Sequence, residues 1–346
     1  MIKLSDISWN VSEEEYRADK AYSYSTLSRF HREGFTGLPR LFDKVSSPSL
    51  LFGSLVDTLM TDKEEFEKRF SVCTLPELSE SLDAIVRDLA TNYGSYKDIN
   101  KIPDDILAQI GEEHSYYKTD KYKSYRVKKI KEECAEMYKI LTSTKDKTII
   151  SEKLYSDAMA CVNALHSNPE TSFFFAPNNP FDDTIERYYQ LKFKGEYEGI
   201  PVRCMFDLLI IDRKNKKIIP VDLKTSYKNE IDFPKSFFEW NYGIQANLYT
   251  YILKQNLKDI PEFQDYTITS YYFIVVSNNS RRPMIWCTSS NHSEQTVNIH
   301  GKEIPNWRIL IKELHYYLSK ETLPEYPIWK KPYNSIEDYV ERNMKN

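Results

Sequence analysis

Glycine is scarce in this chain of 346 residues, at nine positions, and neither GxGxxG nor GxxxxGK[ST] occurs. Loops that cradle phosphates are built on such glycines, so a conventional doubly wound nucleotide fold and an ATP-driven motor are not encoded, and ATP is not expected as a cofactor. The five cysteines (73, 134, 161, 204, 287) are odd in number, scattered and never spaced as CxxC. That excludes a disulfide framework and a cysteine zinc site, and predicts thiols that are reduced and mostly buried. Long apolar runs are missing too: "YYFIVV" at 271–276 falls far short of the roughly 20 residues of a membrane helix. With no signal-peptide pattern in the opening residues, no membrane partner and a cytoplasmic location are expected. A net charge of −4 gives no global attraction to nucleic acid, which would have to meet a local basic surface.

What is present is enough apolar material for a sizeable core, 41% of residues, and two kinds of periodicity. Residues 1–175 read as a mostly helical N-terminal region, with loops near 31–49 and 91–106; "SLLFGSLVDTLM", "VKKIKEECAEMYKIL" and "ISEKLYSDAMACVNALHSN" carry apolar residues at helical spacing. In "SLLFGSLVDTLM", Leu51, Leu55 and Leu59 are expected to face the core, with Asp57 on another side. After the proline-rich break at 168–183 the period becomes two. Strands are expected at about 184–194, 200–212, 217–224, 267–277 and 283–289, with helices at about 234–255 and 306–320. The expectation is an α/β protein, a mixed sheet core flanked by helices over 176–346 joined to the helical front half in one compact unit. One segment is locally basic: "YYKTDKYKSYRVKKIKEE" (116–133) holds seven basic residues and four tyrosines. Tyrosines stack on bases and cations hold phosphates, while a solvated helix face is the other reading.

Chemistry concentrates in "FDLLIIDRKNKKIIPVDLK", two β-type runs joined by a polar stretch. A two-residue turn at Lys214-Asn215 puts Asp207 directly opposite Asp222. Phe206, Leu208 and Ile210 with Ile219, Val221 and Leu223 would then form one apolar face, and Asp207, Asp222 and Lys224 the other. Opposed carboxylates repel unless a cation lies between them. A hard divalent ion such as Mg²⁺ removes the conflict, and Lys224 is in reach of a bound phosphate or an activated water. The alternative is a surface ion pair at a strand end. A second hairpin turning near 195–199 would bring Glu186 to within about a residue of Asp207, unless it is a solvated strand charge.

Taken together these residues resemble the PD-(D/E)xK nucleases, in particular the RecB-like group and its RecE-type phage exonucleases. Asp207 stands at the first acid, Asp222-Leu223-Lys224 at (D/E)xK, and "QANLY" at QxxxY, with Gln245 and Tyr249 on one helical face. "YSYSTLSRF", "LLFGSLVDTLM" and "ISEKLYSDAMACVNALHSNP" resemble the opening helix, the GxxxH helix and the helix before the catalytic strands, so the likeness covers roughly 20–60 and 150–255.

The resemblance implies a restriction-endonuclease-like core and a metal-dependent DNA exonuclease acting in phage or mobile-element recombination. An endonuclease of the same fold and an inactive DNA-binding relative are the alternatives. It implies Mg²⁺ or Mn²⁺ held by Asp207, Asp222 and the Leu223 carbonyl, and a catalytic Lys224. Glu186, Gln245 and Tyr249 would support the site or touch DNA. It also implies DNA and a single-strand annealing or recombination protein as partners, and by analogy a homo-oligomeric ring. Two departures stand out. The GxxxH histidine, often a metal ligand, is Asp57 here, itself a candidate ligand. The four cysteines of an iron–sulphur relative are not arranged here, so no cluster is expected.

Overall fold

The computed structural model describes residues 2–43, 45–61, 63–144, 147–289, 297–299 and 302–319; residues 320–346 of the expected C-terminal region lie outside these. The chain does not form the single unit expected, with its break near 175. It divides into a unit of residues 51–163 and a discontinuous unit made of residues 1–50 and 164–346.

The 51–163 unit is helical apart from a short parallel pair, β1 (Phe70–Val72) and β2 (Thr148–Ile150). The helices Glu80–Tyr93, Asp104–Glu113 and Lys123–Ser143 close over Leu82, Ile85, Leu89, Leu107, Ile130, Cys134 and Met137. On the helix Pro48–Thr61 the buried side chains are Phe52, Leu55, Val56 and Thr58, so the inward stripe is rotated from the expected Leu51, Leu55 and Leu59. Asp57 is half-buried beside that stripe.

The other unit is built on a six-stranded mixed sheet: β3 (Ile185–Tyr197), β4 (Ile200–Asp212), β5 (Lys217–Ser226), β6 (Thr267–Ile268), β7 (Tyr271–Ser277) and β8 (Met284–Thr288). The order is β3-β4-β5-β7-β8, with β6 also paired to β5. Contacts are antiparallel except β5–β6 and β5–β7. A parallel pair needs a crossover, and the helices Phe233–Glu239 and Tyr242–Leu257 supply it. The expected single helix is thus split at Trp240-Asn241, where Asn241 is left-handed (φ 56°). Beyond β8 come a short antiparallel pair, β9 (Val297–Ile299) and β10 (Lys302–Ile304), and the helix Trp307–Leu318.

β4 is the middle of this core. Val202, Cys204, Phe206 and the run Leu208 to Ile211 are all buried, as befits a near-continuous apolar strand covered on both faces. The helices Tyr24–Glu33, Tyr242–Leu257 and Trp307–Leu318 share one cluster with the sheet through Leu27, Phe30, Leu248, Ile252, Ile311 and Leu314. The first fifty residues therefore belong with the sheet. Trp9 N donates to Lys192 O (2.7 Å), Tyr22 N to Pro201 O (3.0 Å) and Arg203 N to Tyr22 O (2.8 Å).

Two turns fix the registers. Tyr197 pairs with Ile200, leaving a two-residue turn of Glu198 and Gly199, both left-handed (φ 50° and 79°), the combination that matches strand twist in a tight hairpin. Between β4 and β5 the connection is the four residues 213–216, in place of the expected two. Asp212 caps it by accepting from Asn215 N (2.9 Å) and Nδ2 (2.7 Å). Three of the five thiols, Cys134, Cys161 and Cys204, are buried, and none of the five is joined in a disulfide. Among the described residues no helix is long and apolar enough to cross a membrane.

Candidate active site

The four-residue turn is centred on the same point as the expected two-residue one, so the register survives. Leu208 pairs with Val221 and Ile210 with Ile219, and Asp207 and Asp222 fall opposite one another one step past the last paired rung. There the ladder gives way to a side chain: Leu223 N donates to Asp207 Oδ2 at 2.9 Å.

The faces differ from expectation at one residue. Phe206 packs on Tyr249 (5.4 Å between ring centroids) and Tyr271 (6.3 Å) and joins the cluster containing Leu209 and Ile211. The strict alternation along β4 is therefore interrupted between Phe206 and Leu208. Across the β3–β4 pair, between the rungs Tyr189–Leu208 and Leu191–Phe206, stands Gln190 in the left-handed region (φ 53°). That conformation is costly for a residue with a Cβ and is found preferentially beside functional groups.

Asp222 is 2% exposed. Its Oδ1 accepts from Gln245 Nε2 at 2.5 Å, and its Oδ2 lies 2.5 Å from Lys224 Nζ. That second approach is an ion pair without hydrogen-bond alignment, because Oδ2 makes no hydrogen bond. Lys224 Nζ also donates to Gln245 Oε1 at 3.4 Å and lies 4.6 Å from the centre of the Tyr242 ring. Burial alone would push the Lys224 ammonium down, but the Asp222 carboxylate, Tyr242 and Asp207 together hold it well above the usual lysine range. The ammonium stays charged, and Asp222 is compensated inside the fold.

Gln245 and Tyr249 are 4% and 7% exposed. The glutamine spans acid and lysine, and the tyrosine ring packs on Phe206, with burial pushing its hydroxyl far up. Both belong to the helix Tyr242–Leu257, and Gln245 meets the sheet on the face that carries Asp222 and Lys224. Glu186 is elsewhere: it pairs with Ile211, four residues along β3 from Gln190, and its carboxylate is held by Arg213 and Tyr188. The tight turn at Glu198-Gly199 advances the register beyond the one expected from a looser turn. Asp57 belongs to the 51–163 unit, where its carbonyl accepts from Thr61 Oγ1 (2.8 Å).

Sequence reasoning passed over Tyr271 and Tyr242. Tyr271 is fully buried and its hydroxyl has no hydrogen-bond partner among the described residues. Burial, then Asp222, Tyr249 and Asp207, push it far above the ordinary tyrosine range. Its place at the start of an apolar strand reads as core; only the parallel pairing of Val221 with Tyr272 and Asp222 with Phe273 brings it beside the acids.

Among the described residues no group of three or more His, Cys, Asp or Glu gathers closely enough to hold a metal. The donor set here is two opposed carboxylates and the main-chain carbonyl of Leu223, all oxygen. Together with the buried Asp222 Oδ2 that lacks a hydrogen bond, this suits a hard divalent cation that keeps several of its waters. The basic segment at 116–133 is largely self-neutralised. Lys123 pairs with Asp105, Arg126 with Glu112, Lys128 with Glu132, Lys129 with Glu133 and Lys131 with Asp104.

A solved structure from Eubacterium rectale, described provisionally as an exonuclease, is similar to this chain. Identity is 14%, the match covers 89% of this chain and 82% of that one, and the TM-score is 0.38. No protein-family model matches the chain, and no curated protein does.

Proposed function

We propose that the chain is a metal-dependent deoxyribonuclease of the PD-(D/E)xK type, an exonuclease of phage or mobile-element recombination. The observation that carries the reading is the Gln245 bridge between Asp222 Oδ1 and Lys224 Nζ, set beside the opposed Asp207. A strand-end ion pair without further purpose has no need of a buried amide joining both partners, and solvated pairs of that kind contribute little.

Asp207, Asp222 and the Leu223 carbonyl would hold Mg²⁺ or Mn²⁺, which when bound supplies a more acidic water and neutralises phosphate charge. Asp207 and Asp222 bring the negative charge that recruits such an ion to the end of the β4–β5 pair. Lys224, kept charged by Asp222, offers a proton donor and a positive charge to the scissile phosphate or to the attacking oxygen. Gln245 fixes the lysine and the acid relative to one another, so that neither has to reorganise during the reaction.

The test is incubation of the full chain with linear and with covalently closed circular duplex DNA in Mg²⁺. Consumption of the linear duplex alone supports the exonuclease. Cutting of both makes it an endonuclease of the same type, and cutting of neither overturns the assignment.

A further inference from the structure

We propose that the corner formed by residues 115–125 is a stacking platform for the unpaired bases of single-stranded nucleic acid. Tyr117, Tyr122 and Tyr125 are 44%, 42% and 44% exposed, yet they are not independent surface residues. The Tyr117 ring lies 5.1 Å from that of Tyr125 at 86° and 6.1 Å from that of Tyr122, and Tyr116 stands 4.8 Å behind it.

The backbone is bent to hold them there. After the helix Asp104–Glu113 the chain passes through Ser115 (φ 58°) and Tyr117 (φ 45°), two left-handed positions without glycine in three residues. Such conformations persist only where the surroundings enforce them. Tyr116 N donates to Gly111 O at 2.8 Å, and Arg126, 1% exposed, donates from Nη1 to Tyr117 O at 2.6 Å. The guanidinium stem fits because Gly111 has no side chain: a Cβ there would stand 2.6 Å from Arg126 Cδ. A buried arginine thus pins the strained carbonyl and presets the ring that leads the cluster.

Charge selects the ligand. While the other five basic residues of the segment are paired, Lys118 and Lys121 have no ion pair among the described residues, and Lys121 Nζ lies 5.5 Å from the centre of the Tyr122 ring. The stretch "SYYKTDKYKSY" contains no aliphatic residue, so a lipid surface would find no anchor there for its acyl chains. Preset aromatic faces beside two uncompensated ammonium groups match bases joined by phosphates. Duplex DNA hides its base faces and would gain only the phosphate contacts.

The experiment measures fluorescence anisotropy of labelled oligo-dT and of a blunt duplex with the full chain in EDTA. Cleavage plays no part there, so this proposal and the nuclease reading stand or fall separately. Oligo-dT is expected to bind more tightly than the duplex. Tyr117→Ala/Tyr125→Ala should weaken oligo-dT binding about tenfold or more, since each stacked base is worth on the order of tenfold. Tyr117→Phe/Tyr125→Phe should stay within about twofold, because stacking needs the ring and not the hydroxyl. Lys118→Ala/Lys121→Ala should flatten the dependence of log affinity on log salt by about 1.4. Tyr122→Ala, at the edge of the cluster, gives a second reading if the double alanine variant melts early. No binding of oligo-dT, equal loss in the Phe and Ala variants, or an equal response of the duplex overturns the proposal.

Discussion

Gln245 holds Asp222 and Lys224 at once, with Nε2 donating to Asp222 Oδ1 at 2.5 Å and Oε1 accepting from Lys224 Nζ at 3.4 Å. Replacing it with leucine keeps the volume and removes both contacts. Residues that orient ligands of this kind are typically worth about 10–100-fold, so Gln245→Leu should lower the initial cleavage rate by about that factor. Undiminished cleavage of linear duplex by Gln245→Leu would take the residue out of the site.

Lys224→Ala is expected to abolish cleavage while DNA binding survives. The change also strands a carboxylate that is 2% exposed, and breaking such a pair costs about 3–5 kcal/mol. Thermal melts should therefore show a large loss in EDTA that saturating Mg²⁺ reverses, because the ion supplies the missing positive charge. Asp222→Asn should instead weaken Mg²⁺ binding and cleavage together. A Lys224→Ala melting temperature indifferent to Mg²⁺, or an unchanged Mg²⁺ titration of Asp222→Asn, would show that Asp222 is no ligand.

Asp19 gives a pH-dependent contribution to stability away from the site. Burial works to raise its pKa, but hydrogen bonds from Lys194 and from Ala21 N (2.8 Å) outweigh it and leave the carboxyl below its ordinary value. A depressed carboxyl stabilises the fold above the unfolded-chain pKa of about 4, and that gain is lost as pH falls through the folded-state value. Asp19→Asn should cost about 1–2 kcal/mol at neutral pH, and the difference from the natural chain should shrink below about pH 4. A gap that stays constant on acidification would show that the charge is not what stabilises.

The strands of the sheet and the β4–β5 register were legible in the sequence because they follow from period-two patterning and from a turn whose centre, unlike its length, the polar stretch marks. Glu186 was misplaced although a signal existed: "EG" at 198–199 is acceptable two-residue turn chemistry, and taking it as the turn puts Gln190 opposite Asp207. The reversal at Phe206 was not legible, since it depends on a left-handed residue on the neighbouring strand. Tyr271 and Tyr242 were hidden for a related reason. Both are apolar-looking positions whose meaning comes from what the parallel β5–β7 pairing and the break at Asn241 bring near them. The division into units was obscured because helical periodicity runs through both segments of the front half and says nothing about which partner each one packs on.

The hydrogen bonds that tie Trp9 and Tyr22 to residues 192–203 also set a timetable for synthesis. A ribosome that has completed the first fifty residues must add about 140 more before their partners exist, and at about 5–20 residues per second that is on the order of ten seconds. Through that interval Leu4, Tyr16, Leu27 and Phe30, each 3% exposed or less in the finished fold, have nothing to cover them, whereas the 51–163 segment carries its own apolar cluster and can condense while it waits. The opening segment is thus the stretch among these residues most in need of a holding chaperone, and its docking has to wait for β3 and β4 even though it is made well before them.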